Sequence, residues 1–215
     1  MEDFSKYIKE LRKDFSGELL DEHEVSENPV IQFELWFKEA IKANANEPNA
    51  MVLSTASHNK PSARVVLLRE YGDKGFSFFT NYNSRKGKDL SENPFACLTF
   101  FWPELERQIR IEGIAEVNTK EASDNYFNSR PRNSRIGAWS SPQSKVIRNR
   151  EELEKLVSDF NKKYPGENVP RPEHWGGYIL KPTYFEFWQG RPSRLHDRIC
   201  YTLENGKWKI ERLAP

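Results

Sequence analysis

Two short segments combine cations with hydroxyl side chains, a mixture that suits the binding of a phosphate group. In the first, Thr80–Lys88, two aliphatic hydroxyls and three cations follow the apolar run Phe76–Phe79. In the second, Tyr126 and Arg130 stand four residues apart on one face of a predicted helix, and Ser134 follows shortly after. Cations neutralise a phosphate while hydroxyls donate hydrogen bonds to its oxygens. The same residues also fit a solvent-exposed basic turn and a basic helix end that interacts with the helix dipole.

A third segment, Trp102–Arg110, ends in a predicted strand with alternating character. Gln108 and Arg110 share one face of this strand, while Ile109 and Ile111 share the other. A glutamine amide both donates and accepts, so it suits the edge of a heterocycle. An exposed strand face is the alternative interpretation.

A fourth segment, Phe187–Arg198, holds three arginines, one histidine and one tryptophan within twelve residues. Arg194 and His196 alternate, so they share a face if the segment is extended. Trp188 is suited to forming an apolar wall or to stacking on a ring. A structural loop is the alternative, in which Asp197 pairs with an arginine.

The elements that position these segments are mainly short strands separated by turn signals, which favours an antiparallel barrel or sandwich with flanking helices. Asn28-Pro29 predicts a helix start, with Val30, Phe33, Trp36, Phe37 and Ile41 as its apolar stripe. Asn118 with Glu121 and Asn149 with Glu152 resemble capping boxes of two further helices. The predicted strands are Met51–Thr55, Ala63–Arg69, Phe76–Asn81, Ala96–Trp102, Gln108–Val117, Gly177–Lys181, Tyr184–Trp188, Arg198–Leu203 and Trp208–Arg212, with a hairpin turn at Asn205-Gly206.

Composition and missing motifs exclude several function classes. The 215 residues carry 33 Lys+Arg against 32 Asp+Glu, so net charge gives no general attraction to nucleic acid or anionic membranes. The sequence lacks the glycine motifs of dinucleotide-binding and Walker loops, a nucleophile elbow, and His or Cys pairs at metal-ligand spacing. We therefore predict no metal. Two cysteines, no signal-like N-terminus and no long apolar run favour a soluble cytoplasmic protein.

Taken together in chain order, these segments resemble the pyridoxine/pyridoxamine 5′-phosphate oxidase family from about residue 45 onward. Arg194-Leu-His-Asp-Arg198 and the closing Arg-Leu-Ala-Pro215 are the most specific matches. The other matching motifs are Arg64-Val-Val-Leu-Leu-Arg69, Thr80-Asn81, Ser84-Arg-Lys86, Arg107-Gln108, Tyr126-Phe-x-Ser-Arg130-Pro, Ile136-Gly-Ala138, Gln143-Ser144, Trp175-Gly-Gly177 and Glu186-Phe-Trp-Gln-Gly190.

The resemblance implies an FMN-binding split β-barrel, antiparallel and Greek-key-like, and a homodimer with FMN at the subunit interface. It implies oxidation of pyridoxine or pyridoxamine 5′-phosphate to pyridoxal 5′-phosphate, with O2 giving H2O2, and NH3 from the amine. In this interpretation residues 28–215 form the oxidase domain and residues 1–27 form an N-terminal extension that covers the substrate. Trp175-Gly-Gly177 is interpreted as a tight turn without a chemical role.

Site residues carried over by motif fall into three groups. The predicted catalytic residues, which lie over the pyridine ring, are Arg194 and His196. The predicted cofactor-binding residues are Arg64, Val65, Val66, Leu67, Leu68, Arg69, Phe79, Thr80, Ser84, Arg85, Lys86 and Gln108, with Gln143, Ser144, Trp188 and Arg198 from the partner chain. The predicted substrate-binding residues are Arg69, Tyr126, Arg130, Ser134, Arg194, Leu195 and His196.

Two positions depart from the family pattern. Arg69 stands where lysine is expected, and its guanidinium is larger and geometrically fixed. Phe15 lacks the hydroxyl expected in the lid segment, residues 12–15. The competing hypotheses are a non-catalytic FMN or pyridoxal phosphate carrier, a flavin reductase of the same fold, and a nucleic-acid-binding barrel.

Overall fold

The structure is a computed structural model that describes residues 4–11 and 14–215. In this part of the chain the fold is mainly β-sheet with flanking helices, as predicted. The helices are α1 (Phe4–Glu10), α2 (Pro29–Lys42), α3 (Arg85–Glu92), α4 (Lys120–Ser129), α5 (Arg132–Ser140) and α6 (Arg150–Lys163). The strands are β1 (Ala50–Ser57), β2 (Lys60–Leu67), β3 (Glu70–Gly72), β4 (Gly75–Asn81), β5 (Phe95–Trp102), β6 (Arg107–Val117), β7 (Trp175–Gln189), β8 (Asp197–Glu204) and β9 (Lys207–Arg212).

The described residues divide into two compact units. The first unit comprises the chain up to Pro48 together with Thr99–Ile111 and Tyr184–Pro215. The second comprises Asn49–Leu98 and Glu112–Thr183. No helix in the described part of the chain is both long and apolar enough to cross a membrane.

The second unit is built on a sheet with the strand order β2-β1-β5-β6-β7-β4-β3. β1 and β2 form an antiparallel hairpin, closed by His58 and Asn59, which both have positive φ. β4 pairs antiparallel with the beginning of β7. The apolar side chains Leu53, Phe78 and Leu98 are fully buried and form part of the core of this unit.

In the first unit, the end of β7 pairs antiparallel with β8, and β8 pairs with β9. Asn205 and Gly206, with φ of 50° and 78°, form the predicted hairpin turn between β8 and β9. The Asn28 side chain accepts from the Val30 N–H at 2.8 Å, so the predicted cap of α2 is confirmed. Trp36 on α2 packs edge-on against Phe187, with ring centroids 5.2 Å apart.

Three local predictions were wrong. The cap of α4 is Thr119 rather than Asn118, because the Thr119 hydroxyl accepts from the Ala122 N–H. Ile41 is 53% exposed, and Ala40 instead lies on the buried face of α2. The predicted strands Gly177–Lys181 and Tyr184–Trp188 are one strand, β7. Its Pro182 is accommodated opposite Gly113, where a Cβ atom would lie only 2.0 Å from the Lys181 carbonyl oxygen.

Candidate functional site

A cleft of about 950 Å³ opens in the second unit. It is lined from β2, β4 and the beginning of β7 on the sheet, and from α3, α4 and α5. Twelve of the predicted site residues line it, namely Arg64, Val65, Val66, Leu67, Arg69, Phe79, Thr80, Lys86, Tyr126, Arg130, Ser134 and Gln143. The sheet and the helices thus bring together residues that lie up to 79 positions apart in the sequence.

Lys86 is a buried cation in this cleft, held by the first turn of α3. The Ser84 hydroxyl caps that helix by accepting from the Gly87 N–H at 3.4 Å, and it donates to the Asn81 carbonyl at 2.6 Å. The Lys86 ammonium donates to Thr80 Oγ1 at 3.1 Å and, at 3.4 Å, to Ser84 Oγ and Gln143 Oε1. Among the described residues these acceptors are all neutral oxygens. Burial, and next the charge of Arg64, lower the pKa of Lys86.

Arg64 is a second cation that lines the cleft near Lys86. Its guanidinium donates to Thr55 Oγ1 at 2.7 Å and to Ser62 Oγ at 2.6 Å, and it lies 3.5 Å from the Asp89 carboxylate. Burial lowers the pKa of Arg64, an effect that the charge of Asp89 opposes. In the part of the chain that the structure describes, Asp89 pairs with Arg64 alone, whereas the Lys86 ammonium contacts only neutral oxygens, so these two cations keep an excess of positive charge.

Arg130 and Arg69 form a second cationic group in the cleft. The Arg130 guanidinium carbon lies 4.5 Å from the centroid of the Trp175 indole, and that of Arg69 lies 5.4 Å from the Tyr126 ring. Arg130 Nη1 is buried and has no hydrogen-bond partner among the described residues. Burial lowers the pKa of Arg130, and the charge of Arg69 lowers it further. An anionic ligand would satisfy both the unpaired donor and the excess charge.

Trp175 is one of the cleft residues that were not predicted as site residues. It begins strand β7 and stacks on Phe79 and Tyr126, with interplanar angles of 14° and 9°. The adjacent glycines do not form the predicted tight turn. A Cβ at Gly176 would lie 2.1 Å from the Tyr82 hydroxyl, so the glycine permits close packing. The other lining residues not predicted as site residues are Asn81, Ser129, Pro131, Gly137, Ala138 and Ser141.

Four predicted cofactor residues lie beside the cleft without lining it. Leu68 is buried, and its N–H donates to the Asn49 carbonyl. Ser84 is buried beneath Lys86, whereas Arg85 is exposed at the start of α3. Ser144 is exposed with φ of 71°.

The side chain of Gln143, which we predicted to act from the partner chain, lies in the cleft of its own chain. There its Oε1 accepts from Thr80 and Lys86, at 3.4 Å each. The chain after α5 runs back toward α3 and so brings Gln143 close to Lys86. Helix α5 was not predicted from the sequence, so this change of direction could not be predicted either.

The remaining predicted site residues, Gln108, Trp188, Arg194, Leu195, His196 and Arg198, belong to the first unit. His196 packs against Trp188 and Phe15, with ring centroids 4.6 Å and 5.2 Å away. The Arg191 N–H donates to His196 Nδ1 at 3.1 Å, so a neutral His196 ring carries its proton on Nε2.

Arg194 sits at a strained point of the chain. Ser193 and Arg194 have backbone φ angles of 57° and 61°, and two consecutive residues other than glycine rarely adopt such positive values. The Asp14 carboxylate accepts from the Ser193 N–H at 3.1 Å and holds the turn. Asp197, as predicted, pairs with arginine; its carboxylate lies 2.7 Å from Arg212 Nη1. Arg12 and Lys13 of the predicted lid lie outside the described residues.

Comparison with known proteins places this arrangement in a family. Residues 37–164 match the profile of pyridoxamine 5′-phosphate oxidase, and residues 175–215 match the pyridoxine 5′-phosphate oxidase C-terminal dimerisation region. A pyridoxine/pyridoxamine 5′-phosphate oxidase from Cyanothece sp. is 56% identical, over 97% of this chain and 98% of that protein. One from Actinobacillus pleuropneumoniae is 53% identical, over 97% of this chain and 99% of that protein.

Solved structures agree on the fold. PhzG from Burkholderia lata 383, in complex with tetrahydrophenazine-1-carboxylic acid, is 28% identical with a TM-score of 0.87, covering 94% of this chain and all of that one. A pyridoxamine 5′-phosphate oxidase-related, FMN-binding protein from Nostoc punctiforme is 17% identical with a TM-score of 0.65, covering 87% and 97% of the two chains. The predicted split-barrel fold is thus confirmed. The chain belongs to the pyridoxine/pyridoxamine 5′-phosphate oxidase family of FMN-dependent oxidoreductases.

Proposed function

We propose that this protein oxidises pyridoxine 5′-phosphate or pyridoxamine 5′-phosphate to pyridoxal 5′-phosphate, with FMN as cofactor. O2 is the final electron acceptor and becomes H2O2. With the amine substrate, water enters and NH3 leaves. The observation that carries the proposal is the presence of two cationic groups in one cleft, Lys86 with Arg64 and Arg130 with Arg69. FMN and the substrate each carry a phosphate, and each phosphate needs a cationic group of its own.

The first group fits the phosphate of FMN. Lys86 and Arg64 supply charge, and Thr80 supplies a hydroxyl beside the Lys86 ammonium, while the buried Ser84 hydroxyl supports that ammonium from beneath. The half-buried side chains of Val66 and Leu67 add an apolar wall. When bound, FMN supplies the two-electron acceptance that oxidation of an alcohol or amine carbon requires.

The second group fits the phosphate of the substrate. Arg130 offers its unpaired Nη1 donor, and Arg69, Tyr126 and Ser134 line the same cleft. Binding a phosphate there fixes the substrate at a point remote from the carbon that reacts, and this binding energy orients the carbon for oxidation. Arg69 carries the same positive charge as the lysine expected at this position. Its guanidinium donates hydrogen bonds in more fixed directions than an ammonium does.

We further propose that Arg194 orients the pyridine ring of the substrate, with His196 assisting, and that a homodimer assembles each site. His196 Nε2 would donate a hydrogen bond toward the substrate, because Nδ1 is already engaged by the Arg191 N–H. Trp188 and Arg198 would contact FMN bound to the partner chain, and Gln108 would contact the flavin. Residues 1–27 would form the extension that covers the substrate, with Phe15 packing on His196.

An anaerobic reduction tests the proposal. The purified protein is loaded with FMN, its visible spectrum is recorded, and pyridoxine 5′-phosphate is added without oxygen. We expect the flavin absorbance to bleach, and then to recover with formation of H2O2 when air is admitted. A flavin that stays oxidised would instead favour a carrier, or a reductase with another electron donor. Unphosphorylated pyridoxine is the matched control for the second cationic group.

A further inference from the structure

Glu186 is a buried carboxylate in the first unit for which the proposed reaction has no use. It is 3% exposed and lies in strand β7. Its Oε2 accepts from Arg110 Nη1 at 3.0 Å and from the Tyr184 hydroxyl at 3.2 Å. Its Oε1 accepts from Arg198 Nε at 3.0 Å and lies 3.0 Å from Arg198 Nη2. One carboxylate therefore contacts two arginines and one phenol.

The Arg198 guanidinium is held from a second side by the closing segment of the chain. Arg198 Nη1 donates to the Ala214 carbonyl at 2.8 Å. The Leu213 N–H donates to the Arg198 carbonyl at 2.9 Å. The two contacts tie both the side chain and the backbone of Arg198 to the Leu213–Ala214 segment. The specific closing motif Arg-Leu-Ala-Pro thus has a structural partner in the Arg194–Arg198 motif.

These contacts leave the guanidinium little freedom to rotate. Its Nε and Nη2 face Glu186, while Nη1 faces the Ala214 carbonyl, so three of its donors are directed by fixed acceptors. The pKa of Arg198 is raised, first by the hydrogen bond that it donates to the Glu186 carboxylate. Arg198 keeps 28% of its side-chain surface exposed, and each terminal nitrogen retains a second N–H for a ligand. An arginine with this arrangement is directed toward one position before any ligand arrives.

We infer that Glu186 and the Leu213–Ala214 segment act together as a positioning frame for Arg198, so that both set the affinity for FMN without touching it. This inference rests on the proposed function, because Arg198 is the residue assigned there to the cofactor. In this view Glu186 balances the charges of Arg110 and Arg198, which would otherwise repel each other. Without the carboxylate, the two guanidinium groups would separate and Arg198 would lose its direction.

The test measures FMN dissociation constants of the apoprotein for wild type, Glu186→Gln, Arg198→Ala and the double variant. Glu186→Gln keeps the side-chain shape and removes the charge, and we expect it to weaken FMN binding on the order of 10-fold. Arg198→Ala should weaken binding to a similar degree. In the Arg198→Ala background, Glu186→Gln should add little, because a residue that acts only through Arg198 has nothing left to position.

A second variant tests the closing segment. Removing residues 213–215 should weaken FMN binding and shift the visible circular dichroism of the bound flavin, and we expect the same two effects of Glu186→Gln. The matched control is Glu211→Gln, because Glu211 is 47% exposed and pairs with Lys209 instead of Arg198. We expect the control to bind FMN like the wild type.

The outcomes separate the inference from the proposed function. If wild type does not bind FMN, the proposed function fails. If wild type binds FMN but Glu186→Gln binds it equally well, the positioning frame is wrong. It is also wrong if Arg198→Ala leaves affinity unchanged, or if Glu186→Gln weakens binding equally in both backgrounds, since that result describes general destabilisation. Far-ultraviolet circular dichroism and the thermal midpoint show whether each variant is folded.

Discussion

Arg130 lies over the face of Trp175, with its guanidinium carbon 4.5 Å from the centroid of the indole ring. Phe79 and Tyr126 stack beside the same indole, so the wall behind Arg130 is aromatic and rigid. The guanidinium is therefore held in the cleft by a surface that offers no competing negative charge. Its buried Nη1 remains the natural donor for a phosphate oxygen.

Replacing Arg130 by alanine is expected to raise KM for the phosphorylated substrate about 10- to 100-fold, because a charge-assisted hydrogen bond is lost. FMN affinity should change little, since Lys86 and Arg64 belong to the other cationic group. Steady-state kinetics and an FMN titration measure the two effects. Arg150→Ala is the control, because Arg150 is 77% exposed and pairs with Glu154. Equal KM values for Arg130→Ala and wild type would exclude this role.

Replacing Lys86 by methionine is expected to weaken FMN binding about 10- to 100-fold, through loss of a charged hydrogen bond. The thermal midpoint of the apoprotein should stay the same or rise, because a buried charge with neutral partners is replaced by an apolar chain of similar length. Isothermal titration and thermal unfolding measure the two quantities. Lys88→Met changes an exposed lysine two residues away and should leave both unchanged. A sharp fall in the midpoint of Lys86→Met would contradict this account.

The pH dependence of FMN binding follows from the lowered pKa of Lys86. Burial moves this pKa below 10.5, so the ammonium loses its proton at a lower pH than an exposed lysine does. FMN affinity should therefore fall as pH rises through the lowered pKa. The apoprotein should gain stability over the window from that value up to 10.5, because there the unfolded chain binds more protons. Riboflavin, which lacks the phosphate, is the control ligand, and an identical pH profile for both would refute the assignment.

Gly87 is expected to tolerate no side chain. A Cβ atom there would lie 2.1 Å from the carbonyl oxygen of Tyr82 and 2.6 Å from its carbonyl carbon, and both of these Tyr82 atoms belong to the backbone. Gly87→Ala should lower the free energy of unfolding by about 1–3 kcal/mol and weaken FMN binding, because Lys86 lies in the same helical turn. Urea unfolding and FMN titration measure this. Gly166→Ala, where no atom lies within 4 Å, should behave like the wild type.

His196→Asn separates the two nitrogens of the ring. The asparagine oxygen can replace Nδ1 as acceptor for the Arg191 N–H, whereas no group replaces Nε2. Turnover should fall about 10-fold or more while the thermal midpoint changes little. His196→Ala should lose both turnover and some stability. Full turnover in the asparagine variant would show that Nε2 is not used.

The sequence predicted the elements that have strong local signals. Asn28-Pro29 locates the start of α2, and Asn205-Gly206 locates the last hairpin, because caps and turns depend on a few neighbouring residues. Helix α3 was not predicted, since its residues Arg85–Glu92 are mostly charged and carry almost no apolar stripe. Its existence depends on the Ser84 cap and on burial of Leu90 in the folded chain.

The sequence segments that form the site were predicted, but the way in which they come together in one cleft was not. Twelve of the predicted residues line one cleft, yet Trp175 was interpreted as part of a turn because two glycines follow it. Gly176 and Gly177 instead make room for Tyr82 and Phe79, which lie nearly a hundred residues earlier, Phe79 in β4 and Tyr82 directly after it. Such contacts depend on the paired register of β4 and β7, and local sequence patterns do not specify a register.

The position of Trp175 also has an optical consequence. An excited indole transfers its energy to a nearby ring that absorbs at the wavelength it emits, and oxidised flavins and pyridoxal rings both absorb there. The transfer weakens steeply with distance, so an indole in the cleft wall reports a ligand in that cleft more strongly than a remote indole does. The fluorescence of Trp175 can therefore be used to measure ligand binding in the cleft without an added label. Comparing wild type with Trp175→Phe, which keeps an aromatic ring in the stack, separates this signal from that of the other tryptophans.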